Sequence, residues 1–288
     1  MSLDDQAALL AEVRAVADRI RLRMVAGAQG GAASGLLGRG VGSSIEYRDH
    51  RPYLIGDDPR ALDWRAYART GQYTLKVYRE EVIPHIDLVV DVSASMRMYT
   101  DKWRRTRELA CFCIESAARA RAAVRCFAIS VGRIDPIEID GVLGGSFPEA
   151  GPDASRAPDL RAVPWRPRAL RVFVSDLLFA DEPRRIVGGL ASASGQAIVF
   201  VPSCTEESDP QWSGSVEVVD VEGGGSRLRR ADAALLARYR AAYAAHFAAL
   251  RAEARARGIR IAQVESHSAF AEALCADGLA AEAIELWA

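Results

Sequence analysis

Residues 86–96 read Ile86-Asp-Leu-Val-Val-Asp91-Val-Ser93-Ala-Ser95-Met96. The stretch Ile86 to Val92 is short and largely apolar, the pattern of a strand buried on both faces. It ends in Asp91, with hydroxyls at the two alternate positions that follow. A second apolar run, Leu170 to Ser175, ends the same way, in Asp176-Leu177. Between and beyond these two runs the chain alternates. The spacing predicts a helix over 103–121, strands over 124–131 and 134–139 with a tight turn at Gly132-Arg133, a helix over 182–193 and a strand over 197–202. A long alanine-rich helix over 231–257 is stopped by Gly258, and a strand over 259–264 and a terminal helix to about Leu286 complete the chain. Gly141 to Pro167 carries five prolines and no period, and is expected to be a loop. Short apolar strands alternating with helices predict an α/β fold, a doubly wound and mostly parallel sheet with strand order 3-2-1-4-5-6. In such sheets ligands sit outside the carboxyl ends of the strands, where the order reverses. Asp91 and Asp176 both fall there.

Upstream the texture differs. Leu9, Leu10, Val13, Val16, Ile20 and Met24 fall near helical spacing, predicting an amphipathic helix over 3–26, and the glycine-rich stretch Gly27 to Gly42 reads as a linker. Residues 43–83 are dense in aromatics and in paired charge. The expected organisation is therefore an N-terminal helix and linker (1–35), a smaller β-containing segment (36–83) and the α/β domain (84–288).

Half of the 288 residues are hydrophobic and the net charge is −1, enough to bury a large core and too neutral for a globally basic nucleic-acid protein. Five cysteines without metal-ligand spacing suit a reducing compartment. No run is long enough to span a bilayer and the start lacks a signal-peptide pattern, so the expected location is the cytoplasm. Of the 37 basic residues only Lys76 and Lys102 are lysines, a bias that suits a GC-rich genome.

Asp91, Ser93 and Ser95, joined by Asp176 from a neighbouring strand, form an all-oxygen donor set. Hard cations prefer such sets, with water completing the shell: Mg2+ first, Mn2+ or Ca2+ as substitutes. Two neutral hydroxyls leave the ion electrophilic enough to recruit an external carboxylate. The plainer alternative has Ser93 and Ser95 capping the next segment while Asp91 pairs with Arg97.

With Asp176, the stretch Ile86 to Met96 resembles the metal-ion-dependent adhesion site of von Willebrand factor type A domains. The upstream stretch from Arg51 through Gly56-Asp57-Asp58-Pro59-Arg60 and Asp63-Trp64-Arg65 to Arg69 is similar to the hallmark of the bacterial domain-of-unknown-function family 58. Together the two resemblances cover about residues 36–265. They imply a type A fold over 84–288 and a genetic neighbourhood with MoxR-type AAA+ ATPases, which are thought to use such proteins as adaptors or clients. One departure stands out. Type A domains usually add a loop threonine, and here none lies between Thr106 and Thr205; Ser146 and Ser155 are the available stand-ins. Ion binding is then weak, completed by water, or lost.

Asp57, Asp58, Arg60 and Asp63 admit two roles. They are candidates for a partner-recognition surface; alternatively Asp57 and Asp58 build a turn and an N-cap while Asp63, Trp64 and Arg65 pack by ion pairs and aromatic burial.

Enzymatic motifs fail on context. Gly38-Arg-Gly40-Val-Gly42 lacks the lysine and the strand of a phosphate loop, and no two histidines have ligand spacing. A magnesium phosphotransferase with its nucleophilic aspartate after the first strand needs an acid two residues on, where Ser93 stands. The expectation is a non-enzymatic, metal-assisted protein-interaction module, adaptor or client of a MoxR-type ATPase. A metal-dependent hydrolase or phosphotransferase, and a scaffold with a degenerate ion site, are the alternatives.

Overall fold

A computed structural model describes residues 3–24, 45–55, 57–80, 84–149, 157–191, 196–219 and 225–287. The predicted linker Gly27 to Gly42 and the stand-in Ser155 lie outside the described residues. The chain divides into two compact units, Met1–Val25 with Pro84–Ala288, and Ala26–Ile83.

In chain order the elements begin with α1 (Leu3–Ala17) and β1 (Ile20–Leu22). The smaller unit holds β2 (Ile45–Pro52), a 3-10 turn (Pro59–Ala61), α2 (Trp64–Thr70) and β3 (Thr74–Glu80). Then follow β4 (His85–Asp91), α3 (Ala94–Arg97), α4 (Thr100–Arg119), β5 (Ala123–Ser130), β6 (Arg133–Ile137), α5 (Ile139–Leu143) and β7 (Leu170–Val174). Next come α6 (Pro183–Gly188), β8 (Gln196–Ser203), α7 (Thr205–Ser208), and the hairpin strands β9 (Gly214–Val219) and β10 (Ser226–Ala231). The chain ends with α8 (Ala233–Ala256), β11 (Ile259–Glu265), α9 (Phe270–Gly278) and β12 (Ile284–Leu286).

Among the described residues the larger unit is built on a six-stranded sheet in the order β11-β8-β7-β4-β5-β6. Every neighbouring pair is parallel except the β5–β6 edge hairpin. Counted along the chain this is the order 3-2-1-4-5-6. The two-residue side-chain period splits each strand between two cores. Leu88, Val90, Val172, Val174 and Phe200 pack with residues of α1, α4 and α9, while Val89, Phe173, Val199 and Val201 pack with α6 and α8. Strands buried on both faces must be apolar at nearly every position, which is why β4 and β8 read as unbroken hydrophobic runs.

Asp87 is the exception inside β4. It is fully buried at the amino end of the strand, gripped by Arg125 Nε and Nη2 (both 3.0 Å) and by Arg166 Nε (2.8 Å) and its backbone N–H (2.7 Å). Burial pushes its pKa up, but the Arg125 and Arg166 hydrogen bonds and charges outweigh burial and hold it below the usual carboxylate range.

Two end assignments need correction. The predicted helix over 3–26 stops at Ala17, and Ile20–Leu22 is a strand; the predicted terminal helix stops at Gly278, and Ile284–Leu286 is a strand. The two short strands pair antiparallel, Ile20 with Leu286 and Leu22 with Ile284. Glycine at 278 permits the return, since a Cβ there would sit 3.0 Å from the Ile284 side chain. The exposed hairpin β9–β10 was not foreseen. No helix among the described residues is long and apolar enough to cross a membrane.

The smaller unit pairs β2 with β3, antiparallel, with an irregularity between Tyr47 and Asp49. Its acids mostly terminate backbone. Asp63 Oδ1 accepts from Arg65 N (3.0 Å) and Ala66 N (3.1 Å) at the start of α2; Asp58 accepts from Arg60 N (2.9 Å) and Asp57 from Leu54 N (2.9 Å). Gly71 closes α2 at φ +69°. Asp63 is buried, whereas Asp58 and Arg60 are exposed. Trp64, expected to be buried, is 60% exposed. As the first residue of a seven-residue helix it points away from the buried Ala66 side, and it meets Tyr67 edge-on at 6.2 Å.

Candidate functional site

Parallel pairing of β4 with β7 sets Val90 beside Val174, so the residues that follow each strand leave the sheet together at its carboxyl edge. The Asp91 carboxylate is 1% exposed. Its Oδ1 accepts from Ser93 N (2.9 Å) and its Oδ2 from the Ser175 hydroxyl (2.7 Å). Ser175 thus ties the two strand ends together. Ser93 stands at the N-cap of α3 but makes no side-chain cap bond; its hydroxyl lies 3.1 Å from that of Ser95. Arg97 does not pair with Asp91. It donates to Pro148 O (2.5 Å) and stacks 4.4 Å from the Trp103 ring centre. Ser95 and Ala94, half-buried, form the open rim of an otherwise buried cluster.

Asp176 is 1% exposed and held from three sides. Its backbone N–H donates to Met96 Sδ (3.2 Å), its Oδ1 accepts from Leu178 N (3.1 Å) and its Oδ2 from Lys102 Nζ (2.6 Å). Leu177, next in the chain, sits at φ +56°, a left-handed turn unusual for leucine, and its carbonyl accepts from His246 Nε2 (2.8 Å). Lys102, in the first turn of α4, has no exposed surface. Its ammonium also donates to Glu207 Oε1 (2.5 Å) on α7 and to Ser95 O (3.2 Å). Glu207 Oε2 is buried, and the Cys204 thiol lies beside the Glu207 carboxylate.

Two carboxylates, Asp176 and Glu207, and the Ser95 carbonyl therefore surround one ammonium. Burial first, and the Asp176 charge second, raise the Asp91 pKa to about 7 against the lowering hydrogen bonds from Ser93 and Ser175. Burial also raises Glu207, with Lys102 opposing. Lys102 itself is raised: burial pulls its pKa down, but the charges and hydrogen bonds of Asp176 and Glu207 more than offset that.

Residues 49–131 match the model of DUF58, a protein family of unknown function. That span runs from β2 to the end of β5 and includes Asp91, Ser93, Ser95 and Lys102, but not Asp176 or Glu207. A crystal structure of an aerotolerance-related membrane protein from Bacteroides fragilis, carrying multiple mutations to serines, aligns at 14% identity over 59% of this chain and 99% of that one, with a TM-score of 0.33. No curated protein matches the chain.

The donor set fits a hard cation in chemistry. The Ser93 and Ser95 hydroxyls, 3.1 Å apart, are hydrogen-bonded to each other. The excess of carboxylate over ammonium leaves negative charge for an ion to neutralise. Among the described residues no three His, Cys, Asp or Glu side chains converge as ligands, so an ion here depends on the serines. Ser146, the other stand-in for a loop threonine, is exposed.

Lys102, Ser175 and Glu207 were not singled out from sequence. Lys102 had a signal: it is one of two lysines in a chain whose other basic residues are all arginine. A compact ammonium can meet three converging oxygens in a pocket where a planar guanidinium cannot fit. Glu207 had none, because only folding brings α7 against α4.

Proposed function

We propose that this chain is a non-enzymatic protein-interaction module of the von Willebrand factor type A kind, with a doubly wound sheet whose carboxyl edge docks a partner through a bound divalent ion. The observation that carries the proposal is the pair of serine hydroxyls, 3.1 Å apart, beside the buried Asp91, with Ser93 buried and Ser95 half-buried at the cluster's rim. Asp91, Ser93 and Ser95 would hold magnesium, with manganese or calcium as substitutes, and Asp176 would stand behind them. When bound, the ion supplies a coordination position that accepts a carboxylate from the partner.

The chain's own residues do the positioning. Ser175 and the Ser93 N–H fix both oxygens of Asp91, while Lys102 fixes Asp176. Catalysis is disfavoured because Ser93 stands where a phosphotransferase needs its second acid. The partner proposed is a MoxR-type AAA+ ATPase, the association that the family resemblance carries. In pull-downs with that ATPase, EDTA and Asp91→Ala should each abolish binding while circular dichroism stays unchanged. Phosphatase or nuclease turnover that vanishes in Asp91→Ala would refute the docking role in favour of a hydrolase. Binding indifferent to EDTA would leave a scaffold with a decayed ion site.

A further inference from the structure

We infer that Lys102 is a built-in cation of this site, set to keep divalent-ion binding weak until a partner supplies a carboxylate; this rests on the ion-assisted docking proposed above. A lysine with no exposed surface is rarely tolerated unless its charge is fully met. Here it is met by Asp176 Oδ2 at 2.6 Å, Glu207 Oε1 at 2.5 Å and Ser95 O at 3.2 Å. One of the three, Asp176, is a carboxylate that a divalent ion at this site would otherwise draw on. The Ser95 residue is shared outright: its hydroxyl is 3.1 Å from Ser93 Oγ and its carbonyl is bonded to the ammonium.

Two consequences follow from Coulomb's law in a partly desolvated site. The ammonium is shared between Asp176 and Glu207 and occupies Asp176 Oδ2, so an arriving ion finds Asp91 as the one carboxylate of its set with no cation bonded to it. The ammonium also repels that ion through the short span of the Ser95 residue. Lysine at the amino end of α4 is unfavourable toward the helix dipole as well, so the position gains nothing from helix formation. Its placement is explained by the carboxylates it holds. Glu207 determines where the ammonium sits. It draws Lys102 toward α7 through the bond to its Oε1. The ion site is therefore short of one negative ligand by construction, and a partner's Asp or Glu is the group that makes good the deficit.

The test is Mn2+ titration of the full-length protein, stripped with EDTA and followed by calorimetry and by the water-proton relaxation that bound Mn2+ enhances. Lys102→Met should bind Mn2+ at least about tenfold more tightly than wild type, because removing a neighbouring positive charge frees Asp176. Glu207→Gln should bind several-fold more weakly, because the ammonium then falls wholly on Asp176. Equal affinities in all three proteins, or a loss of binding in Lys102→Met, would overturn the inference while leaving ion-assisted docking intact. Should Lys102→Met fail to fold even in Mn2+, Glu207→Gln decides alone: unchanged or tighter binding overturns the inference. No Mn2+ binding by any of the three would overturn both the inference and the docking reading.

Discussion

Asp91→Asn is predicted to stabilise the metal-free protein at alkaline pH and to destroy its response to divalent ions. The carboxylate is 1% exposed, and burial together with the Asp176 charge moves its pKa from 3.8 to about 7. The folded value lies above the unfolded one, so between those pH values the folded state binds more protons than the unfolded chain. Stability then falls as pH rises through the window and stays low above it. Each tenfold change in proton affinity corresponds to about 1.4 kcal/mol, so the full displacement is on the order of 4 kcal/mol at pH 8. Asparagine removes the charge and keeps the shape. Its amide oxygen can accept from Ser93 N, but its amide nitrogen must donate to Ser175, whose hydroxyl has to turn away. Losing that hydroxyl's donation should reduce the gain to about 2–3 kcal/mol. Urea unfolding in EDTA at pH 8 and pH 4.5 reads the result directly: a gain at pH 8, and little difference at pH 4.5. Adding Mn2+ should raise wild-type stability and leave Asp91→Asn unmoved. A variant less stable than wild type at pH 8 in EDTA would refute the reasoning, since it would mean the Asp91 charge is already compensated without an ion.

Asp87→Ala should cost about 3–5 kcal/mol, because it leaves the Arg125 and Arg166 guanidiniums without their buried carboxylate. The folded Asp87 pKa is depressed, so its contribution is present above the unfolded value near 3.9 and is lost as pH falls through the folded one; urea midpoints of wild type and variant should converge toward pH 2. Leu9→Ala should lower stability by about 2–5 kcal/mol, since α1 packs into the same core as α4; an unchanged melting temperature would mean that α1 is not docked. In the native protein a thiol reagent such as DTNB should label Cys275 first and Cys111, Cys113, Cys126 and Cys204 only after urea, because those four are buried and burial pushes their thiol pKa values up. Rapid labelling of more than one thiol in buffer would contradict that burial.

The alternation of Ile86–Val92, Leu170–Ser175 and 197–202 with helical stretches was enough to specify a mostly parallel sheet, because a strand buried on both faces has to be apolar throughout. The same logic put Asp91 and Asp176 at one edge of the sheet, since parallel strands end on the same side. Caps were also legible. Asp63 before Trp64 and Asp58 before Pro59 carry their side-chain oxygens to nearby N–H groups through local geometry alone. What the chain could not reveal in isolation depended on distant segments meeting. Ile20–Leu22 and Ile284–Leu286 are too short to declare themselves as strands, and each is one only because the other pairs with it. Asp87 reads as an interruption of β4 until Arg125 and Arg166 arrive from either side. The charge state of the site belongs to tertiary structure as well. A D-x-S-x-S pattern shows its oxygens, but the cation already among them comes from a helix and its counter-charge from residue 207, brought together only by the packing of α4 against the strand ends.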